Sequence, residues 1–284
     1  MLYKNFAKQE EIDLEYNPRL TVNEIDPLLN AYLENSRRVL RDHENQLNIS
    51  YGPTLAEHFD FFPAKKEGAP LHVFIHGGYW HSFSSKDFAQ VAEAFILQGI
   101  NVALINYALC PLVTIDEIVR QCRAALAFLY KNSLELAYNP EQISISGHSA
   151  GAHLVGMMLS TDWKGQYALP ADLIKSGCAI SGLFDLSPFP YSWLQPKLQF
   201  SWDQVARNSP ILHLPKDCGP VIVSVGGDES QEFHQQSEKY ADLLKNQGHE
   251  VTHLIMPGLN HFTIINDFLG EGGKLFEQVL ETIG

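Results

Sequence analysis

Residues 142–151 read QISISGHSAG, and this stretch decides the fold. Its first half alternates isoleucine with small polar residues, which predicts a strand over 142–146. Small and apolar residues follow and predict a helix over Ala150–Leu159. Between them, residues 147–151 match the pattern G-x-S-x-G. In a strand–turn–helix context, the two glycines permit a tight turn that holds a serine hydroxyl at the start of the helix. The stretch therefore predicts that Ser149 is a nucleophile.

The segments around this turn continue the alternation of strands and helices. Two strands come first and are expected to form an exposed antiparallel pair, and six more then alternate with helical patterns. That order requires a mostly parallel sheet covered on both faces. The sequence thus predicts an α/β chain with a mostly parallel eight-stranded sheet, helices on both faces and a small cap. The predicted strands are 46–51, 57–62, 71–75, 101–106, 142–146, 176–180, 221–225 and 250–256. The predicted helices are 23–41, 85–97, 114–130, 150–159, 231–246 and 274–282.

We expect residues 1–284 to form a single domain, and two regions lie outside its alternating pattern. Residues 1–45 form an N-terminal extension with at least one helix. Residues 186–216 are rich in proline and aromatic residues and interrupt the chain between two strands. Such an insertion is typical of a cap over a pocket.

A serine nucleophile needs a general base and an acid that orients the base. In folds of this kind the chain order is serine, acid, histidine, and the last two lie in loops after later strands. His261 follows the last predicted strand, and Asp228 follows the preceding one through two glycines. The sequence therefore predicts that His261 is the general base and that Asp228 orients it. The competing acids are Asp185 and Glu229.

The segment HGGYW at residues 76–80 follows the first parallel strand. Hydrolases with this kind of turn stabilise the oxyanion with one N–H group from that loop and one from the residue after the nucleophile. The N–H groups of Gly77, Gly78 and Ala150 are therefore the oxyanion-hole candidates. The alternative is a plain glycine turn.

The sequence HEVTH at residues 249–253 matches the zinc-protease pattern H-E-x-x-H, which functions only on a helix. Here it overlaps a predicted strand, where its two histidines would be roughly 13 Å apart, so no metal site is expected. The four cysteines show no C-x-x-C pair, and buried thiols are the simpler interpretation of Cys122 and Cys178. We expect packing or hydrogen-bonding roles for His76, His148 and His153.

Composition limits the class of protein. The chain is 45% hydrophobic and 19% charged, which suits a globular protein with a large core. Its net charge of −13 argues against a nucleic-acid partner. No apolar run approaches the ~20 residues of a membrane-spanning helix, and residues 1–15 lack the pattern of a secretory signal. A cytoplasmic location is expected.

The chain resembles the kynurenine formamidases (arylformamidases), a branch of the α/β-hydrolase superfamily near the hormone-sensitive-lipase esterases. HGGYW is the most discriminating segment, because the related esterases usually carry a third glycine where this chain has Tyr79. The likeness runs over about residues 50–270. The matching segments are HGGYW at 76–80, NYALCP at 106–111, GHSAGAHL at 147–154 and GDESQEFHQQS at 227–237.

The resemblance implies the α/β-hydrolase fold and hydrolysis of N-formyl-L-kynurenine to L-kynurenine and formate in tryptophan breakdown. It assigns the triad to Ser149, Asp228 and His261. Tyr79 and Trp80 are candidates to line the pocket of an aromatic substrate, and core packing is their alternative role. A small-molecule substrate and no cofactor are expected, and a homodimer is left open. The alternative functions are a carboxylesterase for short-chain or aryl esters and, less favoured, a catalytically silent binding protein on a hydrolase scaffold.

Overall fold

A single eight-stranded sheet forms the centre of the molecule in this computed structural model, which describes residues 1–270 and 272–283. Most strands are continuous runs of buried residues, as expected for strands covered on both faces. The strands are β1 (Gln46–Ser50), β2 (His58–Phe62), β3 (Ala69–Ile75), β4 (Asn101–Ile105), β5 (Tyr138–His148), β6 (Ser176–Ile180), β7 (Val221–Gly226) and β8 (Val251–Met256).

The strand order is β1-β2-β4-β3-β5-β6-β7-β8. β2 is antiparallel to both β1 and β4, and all other neighbouring pairs are parallel. The carboxyl ends of β3, β5, β7 and β8 therefore lie at the same edge of the sheet. This arrangement confirms the predicted α/β-hydrolase fold.

Helices cover both faces of the sheet, and each face has its own apolar core. The helices that follow β4, β5 and β7 pack on one face, and the long helix before β1, the helix after β3 and the C-terminal helix pack on the other. The α-helices are α1 (Gln9–Tyr16), α2 (Pro18–Thr21), α3 (Ile25–Asp42), α4 (Gln90–Leu97), α5 (Ile115–Lys131), α6 (Ala150–Leu159), α7 (Trp163–Tyr167), α8 (Gln195–Leu198), α9 (Trp202–Arg207), α10 (Gln231–Asn246) and α11 (Lys274–Ile283). The described residues also form four short 3-10 helices, Ser85–Phe88, Phe189–Tyr191, Pro210–Leu212 and Thr263–Phe268.

Several elements differ from the sequence-based expectation. The helix predicted over 85–97 begins as the 3-10 turn Ser85–Phe88, because Ser84 and Asp87 form a capping box there. The N-terminal extension, predicted to hold at least one helix, holds α1, α2 and α3. β2 is buried rather than exposed, because it lies between β1 and β4 and both of its faces are covered.

Two further expectations concern the cysteines and membrane-spanning helices. Cys122 and Cys178 are fully buried free thiols, as predicted. Within residues 1–270 and 272–283, no helix combines the length and the apolar character needed to cross a membrane.

Candidate active site

Ser149 lies at the turn between β5 and α6, with φ 57° and ψ −119°. A positive φ is uncommon outside glycine and indicates backbone strain held by the surrounding structure. The Ser149 N–H donates to the Ile180 carbonyl at 2.8 Å, and its own carbonyl accepts from the His153 N–H at 3.2 Å. These bonds join the turn to the end of β6 and to the first turn of α6.

The glycines on either side of Ser149 are required by close backbone contacts. A Cβ on Gly147 would lie 2.5 Å from the Gly151 carbonyl oxygen, and a Cβ on Gly151 would lie 2.0 Å from the carbonyl oxygen of Ile75. Helix α6 therefore begins directly against the end of β3. No larger residue fits without moving one of these elements.

His261 lies in the loop after β8 and contacts Ser149. Its Nε2 is 3.0 Å from the Ser149 Oγ, and its Nδ1 is 2.7 Å from the Glu229 Oε2. Because a carboxylate only accepts, Nδ1 carries the proton and Nε2 is free to accept the serine hydroxyl proton. His148 further supports the base by donating its Nε2–H to the His261 carbonyl at 2.8 Å.

The acid on His261 is Glu229, so the prediction of Asp228 was wrong. The Asp228 N–H donates to the Leu259 carbonyl, which turns its side chain outward to an exposed position. The longer Glu229 side chain folds back over Gly226, where an added Cβ would lie 3.1 Å from Glu229 Oε1. Glu229 rather than Asp228 contacts His261 because the side chains of these two successive residues point in different directions in one tight turn.

Glu229 is held in place by hydrogen bonds to its second oxygen. Oε1 accepts from the Gly226 N–H at 2.7 Å and from the Ser181 hydroxyl at 2.5 Å. The Glu229 side chain is only 1% exposed. Asp185, the other competing acid, instead accepts from the N–H and hydroxyl of Ser187.

The three oxyanion-hole candidates lie around the nucleophile. Gly78 has φ 105° and shares the active-site cavity with Ser149. A Cβ on Gly77 would lie 3.2 Å from the Ser149 Cβ, so that loop passes directly beside the nucleophile. Ala150 begins α6, where the first N–H groups have no partner within the helix. Their role in binding an oxyanion stays a prediction.

The structure separates Tyr79 from Trp80. Tyr79 lines the cavity, and its hydroxyl donates to the Tyr16 carbonyl. Trp80 is fully buried and does not line the cavity, so its predicted role in substrate binding was wrong. Its Nε1–H donates to the Nδ1 of His153 at 3.1 Å, and its indole packs against Phe189. A buried indole needs such a partner for its N–H group.

An open cavity of about 360 Å³ lies above Ser149 and His261. The N-terminal extension supplies much of its wall, whereas the insertion 186–216 supplies only Trp193 and Leu194 among the described residues. Sequence reasoning missed this contribution, although the apolar stripe of α3 was a signal that the helix packs on something. The N-terminal wall residues are Asn17, Pro18, Arg19, Leu29, Tyr32 and Leu33.

The three histidines that were predicted to pack or to form hydrogen bonds, His76, His148 and His153, are buried. Burial, with the nearby His261, lowers the pKa of His148 to about 3, and burial lowers the pKa of both His76 and His153 to about 4. His148 and His153 each bond a backbone carbonyl, which is the predicted hydrogen-bonding role. In residues 1–270 and 272–283, no group of three or more histidine, cysteine or acidic side chains could hold a metal ion.

Comparison with known proteins identifies relatives of this chain and structures with the same fold. The BD-FAE family model matches residues 60–244. The kynurenine formamidase of Danio rerio is 28% identical and aligns over 99% of this chain and 98% of its own length. A crystal structure from silicibacter sp. tm1040 shares 28% identity and a TM-score of 0.81, over 94% of this chain and 98% of that one.

A hyperthermophilic esterase from Pyrobaculum calidifontis shares the fold, with a TM-score of 0.73 and 19% identity over 95% of this chain and 96% of its own. The matches to the Danio rerio relative and to the silicibacter structure span nearly the full length of this chain, and the structural neighbours share its fold. The chain belongs to the BD-FAE family and, within the α/β-hydrolase superfamily, to the kynurenine formamidase family.

Proposed function

We propose that this hydrolase cleaves N-formyl-L-kynurenine to L-kynurenine and formate, a step of tryptophan breakdown. The observation that carries the proposal is the hydrogen-bonded chain from Ser149 through His261 to Glu229, at the floor of a cavity with aromatic walls. The full-length similarity to the Danio rerio kynurenine formamidase supports this substrate.

In the proposed reaction, His261 Nε2 accepts the hydroxyl proton of Ser149 while Oγ attacks the formyl carbon. Glu229 stabilises the imidazolium that forms. Collapse of the tetrahedral intermediate breaks the C–N bond, and His261 gives its proton to the departing arylamine. A water molecule, deprotonated by His261, then hydrolyses the formyl ester and regenerates Ser149 with release of formate.

The crowding beside Ser149, where the acyl group would bind, favours a small acyl group. A Cβ on Gly77 would lie 2.7 Å from the His148 carbonyl oxygen, so the loop 76–80 and the nucleophile turn are in close contact. Formyl is the smallest acyl group and suits such crowding. In the proposal, N–H groups of Gly77, Gly78 and Ala150 donate to the oxyanion, where fixed donors favour the transition state over the ground state.

The size and the aromatic walls of the cavity, where the leaving group would bind, favour an aromatic amine. The cavity volume of about 360 Å³ lies within the range of small-molecule sites. We propose that residues 1–45, more than the insertion 186–216, act as the cap that closes over the aryl ring. The aromatic residues of the wall are Tyr32, Tyr79, Phe83, Phe88, Trp193 and Phe262.

The test compares kcat/KM for N-formyl-L-kynurenine and p-nitrophenyl acetate. We expect the formamide to be the better substrate. Ser149→Ala is expected to lower kcat by about 10⁴ or more, because nucleophile and base act as a unit. Ser160→Ala, at the other end of α6, is the matched control.

Two outcomes would contradict the proposal. A negligible formamide rate beside rapid ester hydrolysis would support the carboxylesterase instead, since the same residues perform that reaction. Failure of a fluorophosphonate to label Ser149 would support a catalytically silent binding protein.

We also propose that the enzyme works in the cytoplasm on a small molecule, without a cofactor and without nucleic-acid or membrane partners. Its cysteines are free thiols, which supports a reducing compartment because disulfides are rare there. The proposed reaction uses only protein groups and water. A homodimer stays a prediction, which sedimentation velocity would test.

A further inference from the structure

Arg19 is a cation in the wall of the active-site cavity. It lies in α2 and is exposed. No other lysine or arginine lines this cavity within residues 1–270 and 272–283. The Arg19 backbone N–H donates to the Asn17 side chain at 3.2 Å, which fixes the start of α2. Its guanidinium has no ion pair or hydrogen bond with another residue in the described part of the chain.

Several other arginines of this acidic protein pair with carboxylates. Arg38 contacts Glu93 with both guanidinium nitrogens, at 2.7 and 2.5 Å, and Arg120 and Arg207 also pair with carboxylates. With a net charge of −13, acidic partners are abundant. The Arg19 guanidinium is thus a planar donor in the cavity wall whose N–H groups are available to bind an anionic ligand. Arginine is well suited to carboxylates because two of its N–H groups can bind both oxygens.

The cavity wall also carries one charge of the opposite sign. Asp87 is the only carboxylate that lines it among the described residues. Its Oδ2 accepts from the N–H and the hydroxyl of Ser84, so this carboxylate already caps the start of the 3-10 turn Ser85–Phe88, in which it lies. A ligand with an amino-acid end would therefore meet one cationic and one anionic residue in the same wall.

We propose that Arg19 binds the α-carboxylate of the substrate and makes the enzyme selective for aryl formamides that carry a carboxylate. The inference rests on the proposed function, because it is the amino-acid group of N-formyl-L-kynurenine that supplies this anion. The aryl ring lies between the aromatic walls, and the formyl group lies at Ser149. Arg19 then contacts the end of the substrate that does not react, and it acts as a specificity-determining residue.

Lys197 provides a matched control for the charge. It lies on α8, outside the cavity wall, yet it is near the cavity residue His81. Burial, together with Lys197, lowers the pKa of His81, although a hydrogen bond to its own backbone opposes this. Replacing Lys197 by glutamine therefore removes one positive charge close to the site without removing a wall residue.

The experiment measures dissociation constants by isothermal titration calorimetry. The ligands are L-kynurenine, which carries the carboxylate, and 2-aminoacetophenone, which keeps the aryl ketone and lacks the amino-acid end. We expect Arg19→Gln to lower the preference for L-kynurenine over 2-aminoacetophenone about tenfold, the effect of a hydrogen bond to a charged group. Arg19→Lys should restore part of the preference, and Lys197→Gln should change it by about twofold or less.

Three results would overturn the proposal. The first is a wild-type protein with no preference for L-kynurenine. The second is an equal loss for both ligands in Arg19→Gln. The third is an equal loss of preference in Lys197→Gln, which would indicate general attraction by charge. Because binding is measured without turnover, Arg19-dependent binding in a protein that does not hydrolyse N-formyl-L-kynurenine would contradict the proposed function and leave the role of Arg19 intact.

Discussion

Asp228 and Glu229 are neighbours in the chain, but only Glu229 contacts His261. Glu229 Oε2 accepts from His261 at 2.7 Å, and its Oε1 accepts from Ser181 and Gly226. Asp228 is exposed. At the scale of single residues, the extra methylene of glutamate and the direction of one peptide group therefore determine which carboxylate orients the base.

We predict that Glu229→Gln lowers kcat by about 10³ to 10⁴, the effect of neutralising the acid of a catalytic triad. The amide leaves the imidazolium without its counter-charge and no longer favours the tautomer with the proton on Nδ1. Asp228→Asn is the matched control and should keep kcat within about twofold. Steady-state kinetics with N-formyl-L-kynurenine and p-nitrophenyl acetate measure both variants. A larger loss in Asp228→Asn would reverse the assignment.

At the scale of secondary-structure elements, hydrogen bonds of Tyr16 join helix α1 to helix α10. The Tyr16 hydroxyl donates to Glu232 Oε2 at 2.6 Å and accepts from Gln236 at 3.3 Å, and Lys4 lies 3.6 Å from the same carboxylate. The residues directly after Tyr16 form the cavity wall, and Tyr79 donates to the Tyr16 carbonyl. One tyrosine thus joins the N-terminal extension, the loop 76–80 and the helix after the catalytic acid.

We predict that Tyr16→Phe lowers the free energy of unfolding by about 2 kcal/mol, because it leaves the buried carboxylate of Glu232 without this donor. Tyr167→Phe removes a hydroxyl from a half-buried tyrosine on α7 and should cost less than about 0.5 kcal/mol. Urea unfolding followed by circular dichroism measures both values. Equal losses in the two variants would show that the contact between α1 and α10 contributes little.

At the scale of the whole molecule, four buried histidines, His72, His76, His148 and His153, are held neutral. Burial lowers the pKa of His72 and His148 to about 3 and that of His76 and His153 to about 4, and His261 adds to the shift of His148. In the unfolded chain a histidine has a pKa near 6.5. Between these values the unfolded state binds more protons, so stability rises with pH up to about 6.5 and is lost as pH falls below it.

We therefore predict that the free energy of unfolding falls between pH 7.5 and pH 5.5, by about 1.4 kcal/mol per histidine at one pH unit below 6.5. Carboxylates with lowered pKa values, such as Glu93 at about 2, titrate below this range. Urea titrations at several pH values measure the slope. His72 lies outside the cavity wall and is bonded to two serines of β5, and His72→Gln should reduce that slope by about a quarter. A stability independent of pH over this range would contradict the prediction.

Much of the fold was predictable because it depends on short-range patterns. The runs around 71–75 and 221–225 are apolar enough to be buried on both faces, and α6, α10 and β6 begin and end at the predicted residues. The turn at Ser149 was predictable because only glycine fits beside it, and His261 because the strand order places it at the same edge.

The tertiary structure decided what depends on contacts between distant segments. The acid is Glu229 because the turn after β7 packs against the loop after β8, and Trp80 is buried because His153 and Phe189 surround it. The cavity wall comes from the N-terminal extension because Tyr16 reaches Glu232, which is 216 residues away in the chain. Local sequence determined the strands, the helices and the nucleophile, since each is set by neighbouring residues. Side-chain direction and the cover of the cavity were set only when remote segments packed together.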